Sequence, residues 1–233
     1  MQRKLFCFGS LSVFIVMLLV GAVAYAQLES LDIGDAANLP GSTQIEGNKI
    51  TIKASGHDIW DDADGFRFVY KEISGDFEAQ VHLISLEIVT EWTKAAIMAR
   101  QSVAPESEHV IATVTGGGAG GSQITWRKAG ANDETDDLAP GDWKTTGGWL
   151  KLTRTGDELH GFISEDAKNW LDLGSQTLVM TDPILVGLAV SALSTEKLIT
   201  AVFEDFTIDG VDVVTAVEPE GKVAVTWGKI KSR

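Results

Sequence analysis

The feature that most constrains this chain is the rhythm of its turns. Gly47-Asn48, Ser74-Gly75-Asp76 and Thr155-Gly156-Asp157 punctuate a sequence in which turn signals recur about every ten residues. Between them lie short segments such as "NKITIKASG", "FRFVYKEISG", "FEAQVHLISLE", "KAAIMARQS", "HVIATVTGGG", "SQITWRKAG" and "ILVGLAVSAL". Each has the length of a strand and is rich in branched and aromatic side chains. In "WLKLTR", Trp149, Lys151 and Thr153 oppose Leu150 and Leu152, the period-2 pattern of a half-buried strand. Past the N-terminal segment, no window of a dozen residues carries an apolar stripe at helical spacing. Evenly spaced strands with Gly-rich turns predict an all-β fold, a two-sheet antiparallel sandwich of the jelly-roll kind.

The N-terminal segment "MQRKLFCFGSLSVFIVMLLVGAVAYAQ" stands apart. Arg3 and Lys4 precede an apolar run from Leu5 to Val23, and Ala24-Tyr25-Ala26 sets small residues where signal peptidase reads. Residues 1–26 are therefore expected to be a signal peptide, with an uncleaved anchor as the alternative, and the mature chain to be secreted or on the cell surface with no membrane span. Cleavage would remove Cys7, the only cysteine, and leave neither a disulfide framework nor a thiolate site. The remaining length suits one sandwich, expected over residues 31–210. The pieces "SLDIGD" and "TAVFEDFTIDG" are expected to pair and bring its ends together. Residues 211–233 read as a linker through Glu218-Pro219-Glu220-Gly221 and a short basic tail, "KVAVTWGKIKSR", that either docks on something or is a disordered end.

Charge narrows the partners. The formal net charge is -14, and loss of Arg3 and Lys4 makes the mature chain more acidic still. Such a field repels phosphate backbones and anionic lipid, so nucleic acid is excluded, while neutral glycans or cations are compatible.

The densest acidic stretch is "HDIWDDADGFRFVY", with Asp58, Asp61, Asp62 and Asp64 around Trp60. An EF-hand loop with Gly65 at its sixth position would place Trp60 at the first and Lys71 at the twelfth, where acidic ligands are required. That motif is absent. A looser structural calcium site, with Asp58 and Asp64 as candidate ligands, remains open beside the simpler reading that "DDADG" is a turn joining two strands. The E-x-D-x(x)-E strand pattern of laminarinase-like glycosidases is also absent. "EISGDFE" is broken by a turn, "NDETDD" lacks a second Glu, and "PESEH" falls at a turn. The histidines, His57, His82, His109 and His160, show no zinc spacing, and no G-x-S-x-G elbow is present. "TVTGGGAGGSQITW" lacks the Gly-Lys-Ser/Thr of a phosphate loop and reads as a hairpin loop able to rim a binding face.

Tryptophan is abundant, with seven in the chain. Indole stacks on the C–H faces of sugars, and it also fills sandwich cores. Trp126, alternating with Ile124, reads as core. Trp143, in "APGDWKTTGG", reads as the most exposed, and Trp60 as intermediate.

In order along the chain, "GHDIWDDADGFRFVYKEISGDFEAQV", "WTKAAIMARQS", "ITWR", "WLKLTRTGDELHGFISEDAKNW" and "VGLAVSAL" resemble a family of bacterial exported domains of the concanavalin A-like lectin/glucanase superfamily. The resemblance spans residues 31–210. It matches Asp58, Trp60 and Asp64, while Asp61 and Asp62 fall at free positions. Ala96 and Ala167 stand where the pattern has Gly. The resemblance implies a concanavalin A-like jelly roll and, more loosely, carbohydrate binding. The resulting expectation is a non-catalytic exported module binding a glycan or polysaccharide, with Asp58, Trp60, Arg100, Arg127 and Trp143 as candidate ligand contacts. Arg100 and Arg127 are expected on a polar sheet face with Gln123 and Thr125, or else in a structural ion pair. The alternatives are a glycoside hydrolase or polysaccharide lyase with an unrecognised site, and a structural or adhesion module that binds protein.

Overall fold

A computed structural model describes residues 28–128, 136–138, 143 and 147–213. The expected signal peptide and all but the first three residues of the expected tail lie outside the described residues.

The described chain is two antiparallel sheets packed face to face. The first orders β1 (Glu29–Ile33), β6 (Phe66–Ile73), β15 (Ile184–Ser191), β8 (Lys94–Arg100), β9 (His109–Thr115), β10 (Ser122–Arg127) and β11 (Asp136–Leu138). The second orders β14 (Trp170–Thr177), β13 (Glu158–Ser164), β12 (Gly148–Thr155), β7 (Phe77–Leu86), β16 (Ser194–Ile208), β3 (Lys49–Gly56) and β2 (Ser42–Glu46), with β17 (Val211–Asp212) paired to β16. A two-stranded hairpin, β4 (Ile59–Trp60) and β5 (Ala63–Asp64), stands outside both. β15 inserts between β6 and β8, and β16 between β3 and β7, so strands distant in sequence close each sheet. This is the jelly-roll sandwich expected from the turn rhythm, and among the described residues no α-helix occurs.

Alternation fills the space between the sheets. Leu150 and Leu152 turn inward from β12, against Ile97, Val110, Ile124 and Leu188 from the first sheet, and all six are fully buried. Burying a Leu or Ile side chain contributes about 1.5–3 kcal/mol, so this layer carries most of the stability.

β8 breaks the alternation, since all seven residues of "KAAIMAR" are buried. Ala95, Ile97 and Ala99 face the sandwich core. Ala96 and Met98 join a second cluster on the opposite face with Ile59, Phe66, Phe68, Tyr70 and Ile111. Ile59 belongs to the small hairpin, which is laid over the outer face of the first sheet. A sheet covered on both faces reads as a continuous apolar run.

Two expectations are corrected. "SLDIGD" forms β1 and pairs with β6, whereas "TAVFEDFTIDG" lies in β16 of the other sheet, so the two pieces do not pair. "DDADG" is not one connection: Asp61 and Asp62 make the hairpin turn, and Ala63 and Asp64 return as β5.

Candidate functional site

The β4–β5 hairpin is fastened by one buried carboxylate. Asp64, fully buried, receives Arg100 Nη1 at 3.1 Å and Arg127 Nη1 at 3.2 Å on Oδ2, and Arg127 Nη2 on Oδ1. The same guanidiniums reach backbone carbonyls. Arg127 donates from Nε to Asp61 at 3.0 Å and from Nη1 to Pro105 and Ser107 at 3.0 and 3.1 Å, and Arg100 donates to Ser102 at 2.6 Å. Asp64 N–H donates to Pro105 at 3.0 Å and Gly65 N–H to Asp58 at 2.6 Å. Planar forks suit this task, because each arginine spreads several donors over fixed acceptors.

His109 completes the cluster. It is fully buried, with Nδ1 3.6 Å from Asp64 Oδ2 and 3.4 Å from the Ser107 carbonyl, while Nε2 has no partner among the described residues. Burial pulls its pKa down to about 4; Asp64 opposes this shift, and the neighbouring Arg127 and Arg100 add to it. Burial also lowers the Arg100 guanidinium from its ordinary value, against the attraction of Asp64.

Beside the hairpin, on the same outer face, opens a cleft of about 430 Å³ lined by Asp58, Trp60, Trp92, Lys94, Gln123, Asp137 and Leu193. Trp60 is half-buried at the hairpin tip, and Trp92 is 40% exposed on the connection from β7 to β8. The glycine run supports Trp92: a Cβ on Gly118 would come within 2.5 Å of indole Cε3, and Gly118 N–H donates to Glu91 at 2.8 Å. Only glycine permits that approach.

Lys94, 1% exposed, gives its ammonium to Asp58 Oδ1 and lies 5.9 Å from the Trp92 ring centroid. Asp58 Oδ1 also accepts the Ile59 N–H at 2.7 Å. Gln123, 1% exposed, is the second residue of β10, and its Oε1 has no hydrogen-bond partner among the described residues.

Of the residues expected to touch a ligand, Asp58 and Trp60 line this cleft. Arg127 does share a face with Gln123 and Thr125, but Arg100 and Arg127 are sealed beneath the hairpin with their charges committed to Asp64. They form the structural ion pair, and they position the hairpin that carries Trp60. Trp143, expected to be the most exposed, is 9% exposed, packs in the sandwich core and donates from Nε1 to the Gly147 carbonyl at 3.1 Å. The indole is apolar enough for the core once its N–H is met. The pair Asp58 and Asp64 does not fit a calcium centre: both Asp64 oxygens are held by guanidiniums, and Asp58 keeps only Oδ2 beside an ammonium, too few oxygens for a metal that takes six to eight.

Trp92, Lys94 and Gln123 were not singled out as contacts from the sequence. Trp92 carried the composition signal. Lys94 and Gln123 look like ordinary strand positions, and only the packing of β8 beside β9 and β10 brings them to one cleft.

No protein-family model and no curated protein matches the chain. Among solved structures it is similar to a functionally unknown protein from Saccharomyces cerevisiae, with TM-score 0.58, 19% identity, and coverage of 72% of this chain and 90% of that one. It is also similar to the carbohydrate-binding module CBM66 from Bacillus subtilis, with TM-score 0.50, 13% identity and coverage of 77% and 94%. A third is a prokaryotic β-1,3-1,4-glucanase (lichenase) derived from a mouse hindgut metagenome, with TM-score 0.50, 8% identity and coverage of 79% and 93%. The shared property is the antiparallel β-sandwich fold. One fold holds a binding module and an enzyme, so function has to be argued from the site.

Proposed function

We propose that this chain is an exported, non-catalytic β-sandwich that binds carbohydrate in the cleft between Trp60 and Trp92. One observation carries the reading: two accessible indoles meet polar side chains in a single cleft, one of them with a buried amide oxygen that has no partner among the described residues. A pyranose offers what such a cleft lacks. Its C–H faces cover indole, and its hydroxyls satisfy fixed polar atoms. The similar fold of CBM66 is consistent with this use, and the absence of the laminarinase-like carboxylate pattern favours binding over cleavage.

A glycan array on the purified protein, with and without chelator, tests the reading. Trp60→Ala and Trp92→Ala are each expected to weaken the best ligand by about five- to tenfold, the loss of one stacking contact of about 1–1.5 kcal/mol. Binding to no glycan in either condition would overturn it. Release of reducing ends from any bound polysaccharide would replace it with the hydrolase or lyase alternative. Loss of binding with chelator would restore the calcium expectation.

A further inference from the structure

Gln123 is the odd residue of the cleft. A fully buried side-chain oxygen without a partner forgoes its hydration, and such groups are few in folded proteins. Ser122 Oγ and Thr125 Oγ1 on the same strand also lack a partner among the described residues, but of the three only Gln123 lines the cleft. Ile124 and Trp126 face the sandwich core and Arg127 serves Asp64. Gln123 faces the outer side, where Thr113 is its cross-strand neighbour on β9 and the cleft lies above.

The charges around it are equally specific. Lys94 is the one cation lining the cleft among the described residues, and it is bound to Asp58 and nearly without solvent exposure. An incoming carboxylate would therefore meet Asp58 and Asp137 and the field of a strongly acidic chain, or would have to break the Asp58–Lys94 pair. Breaking a buried pair leaves an uncompensated charge. A neutral hydroxyl has neither problem. It donates to an acceptor that has no partner, and the contacts of Asp58 fall on Oδ1, which leaves Oδ2 as a second acceptor.

Resting on the carbohydrate reading, we infer that Gln123 determines the specificity of this cleft: its buried amide oxygen takes a hydroxyl hydrogen from an uncharged sugar, while the Asp58–Lys94 pair bars acidic sugars. The ligand class is a neutral, hydroxyl-rich oligosaccharide, to the exclusion of uronic acids.

The experiment is calorimetric titration of the purified protein with two probe sets. These are neutral hexaoses of glucose, mannose and xylose, then hexagalacturonic acid. At least one neutral hexaose is expected to bind at least tenfold more tightly than the uronate. Equal or tighter binding of the uronate overturns the inference while leaving carbohydrate binding intact. Binding of none of the probes, together with a blank glycan array, overturns the underlying reading and the inference with it.

Gln123→Met separates recognition from structure, because it keeps the length of the side chain and removes both polar ends. The neutral ligand should bind about tenfold more weakly, the affinity equivalent of one neutral hydrogen bond. The melting temperature should hold or rise, since an unpartnered polar atom has been removed from a buried position. Unchanged affinity in a folded Gln123→Met protein overturns the assignment. If Gln123→Met melts lower, Gln123→Glu decides, because it retains an acceptor: affinity for the neutral ligand kept within about threefold supports the inference, and a larger loss counts against it.

Discussion

Ala167 shows how a single residue can carry strain that its neighbours tolerate. It stands where the resembling pattern has Gly, and it adopts φ 57°, the left-handed region in which a Cβ crowds the following carbonyl. The turn survives because Asp166 organises it: Oδ1 accepts the N–H groups of Lys168 and Asn169 at 2.9 and 2.8 Å, and these bonds hold the carboxyl well below the usual carboxylate range. Ala167→Gly is expected to stabilise the protein by roughly 0.5–1 kcal/mol, relief of the left-handed cost outweighing the added freedom of the unfolded chain. A higher denaturant midpoint at unchanged slope would be the result; a lower midpoint would refute it. Ala96 departs from the same pattern with a different consequence. It lies in mid-strand against the outer cluster, so the change there concerns packing.

At the scale of the element, the β4–β5 hairpin depends on what lies beneath it. His109 is neutral where it is buried, and its folded pKa of about 4 is depressed below the unfolded value of 6.5. The unfolded chain therefore binds the proton more readily. The stability that neutral His109 provides is complete above about pH 6.5 and is lost as pH falls toward about 4. Over that window the loss amounts to about 3 kcal/mol. The charged groups facing the imidazole are Asp64 from the hairpin, Arg100 from β8 and Arg127 from β10. Melting temperature should fall between about pH 6.5 and 4, and His109→Gln should flatten the upper part of that slope, from about 6.5 to 5, where carboxylates are still charged. An unchanged profile in the variant would assign the slope to other groups. Because the hairpin carries Trp60, ligand affinity should weaken over the same window.

The hairpin also marks how far the sequence could be read. Asp58, Trp60 and Asp64 were marked by their pattern, and alternation located the strands flanking them. The partners of Asp64 were not legible, since Arg100 and Arg127 are separated from it by 36 and 63 residues and meet it only through sheet order. An arginine on a strand looks alike whether it faces water or a buried carboxylate. Trp143 failed for the same reason in reverse: its polar, glycine-rich sequence context signals exposure, but the indole packs among core side chains that come from distant strands.

At the scale of the molecule, the net charge of -14 sets how ligands are met. An acidic surface steers cations inward and anions away, with a reach of about 10 Å at 0.1 M salt. An uncharged ligand feels none of this. Affinity for a neutral oligosaccharide should therefore change by less than about twofold between about 0.05 and 0.5 M salt, and a steep salt dependence would point to a charged ligand. The rigidity that presents the cleft comes from the two-layer core, since Lys94 and Gln123 lie on strands whose inward neighbours, Ala95 and Ile124, are locked between the sheets.

Turn spacing and period-2 alternation determined that this chain forms an antiparallel sandwich, because both are local properties of a backbone with few choices. They located most of the strands and one edge of the cleft, at Asp58 and Trp60. Strand order, the cover over the outer face of the first sheet, and the meeting of Trp60 with Trp92, Lys94 and Gln123 were decided by tertiary structure alone. Those depend on which strands lie side by side, and hydrogen bonds between strands are indifferent to sequence distance. Only the closed sheets bring a turn at residue 61, a loop at residue 92 and a strand at residue 123 to the same cleft.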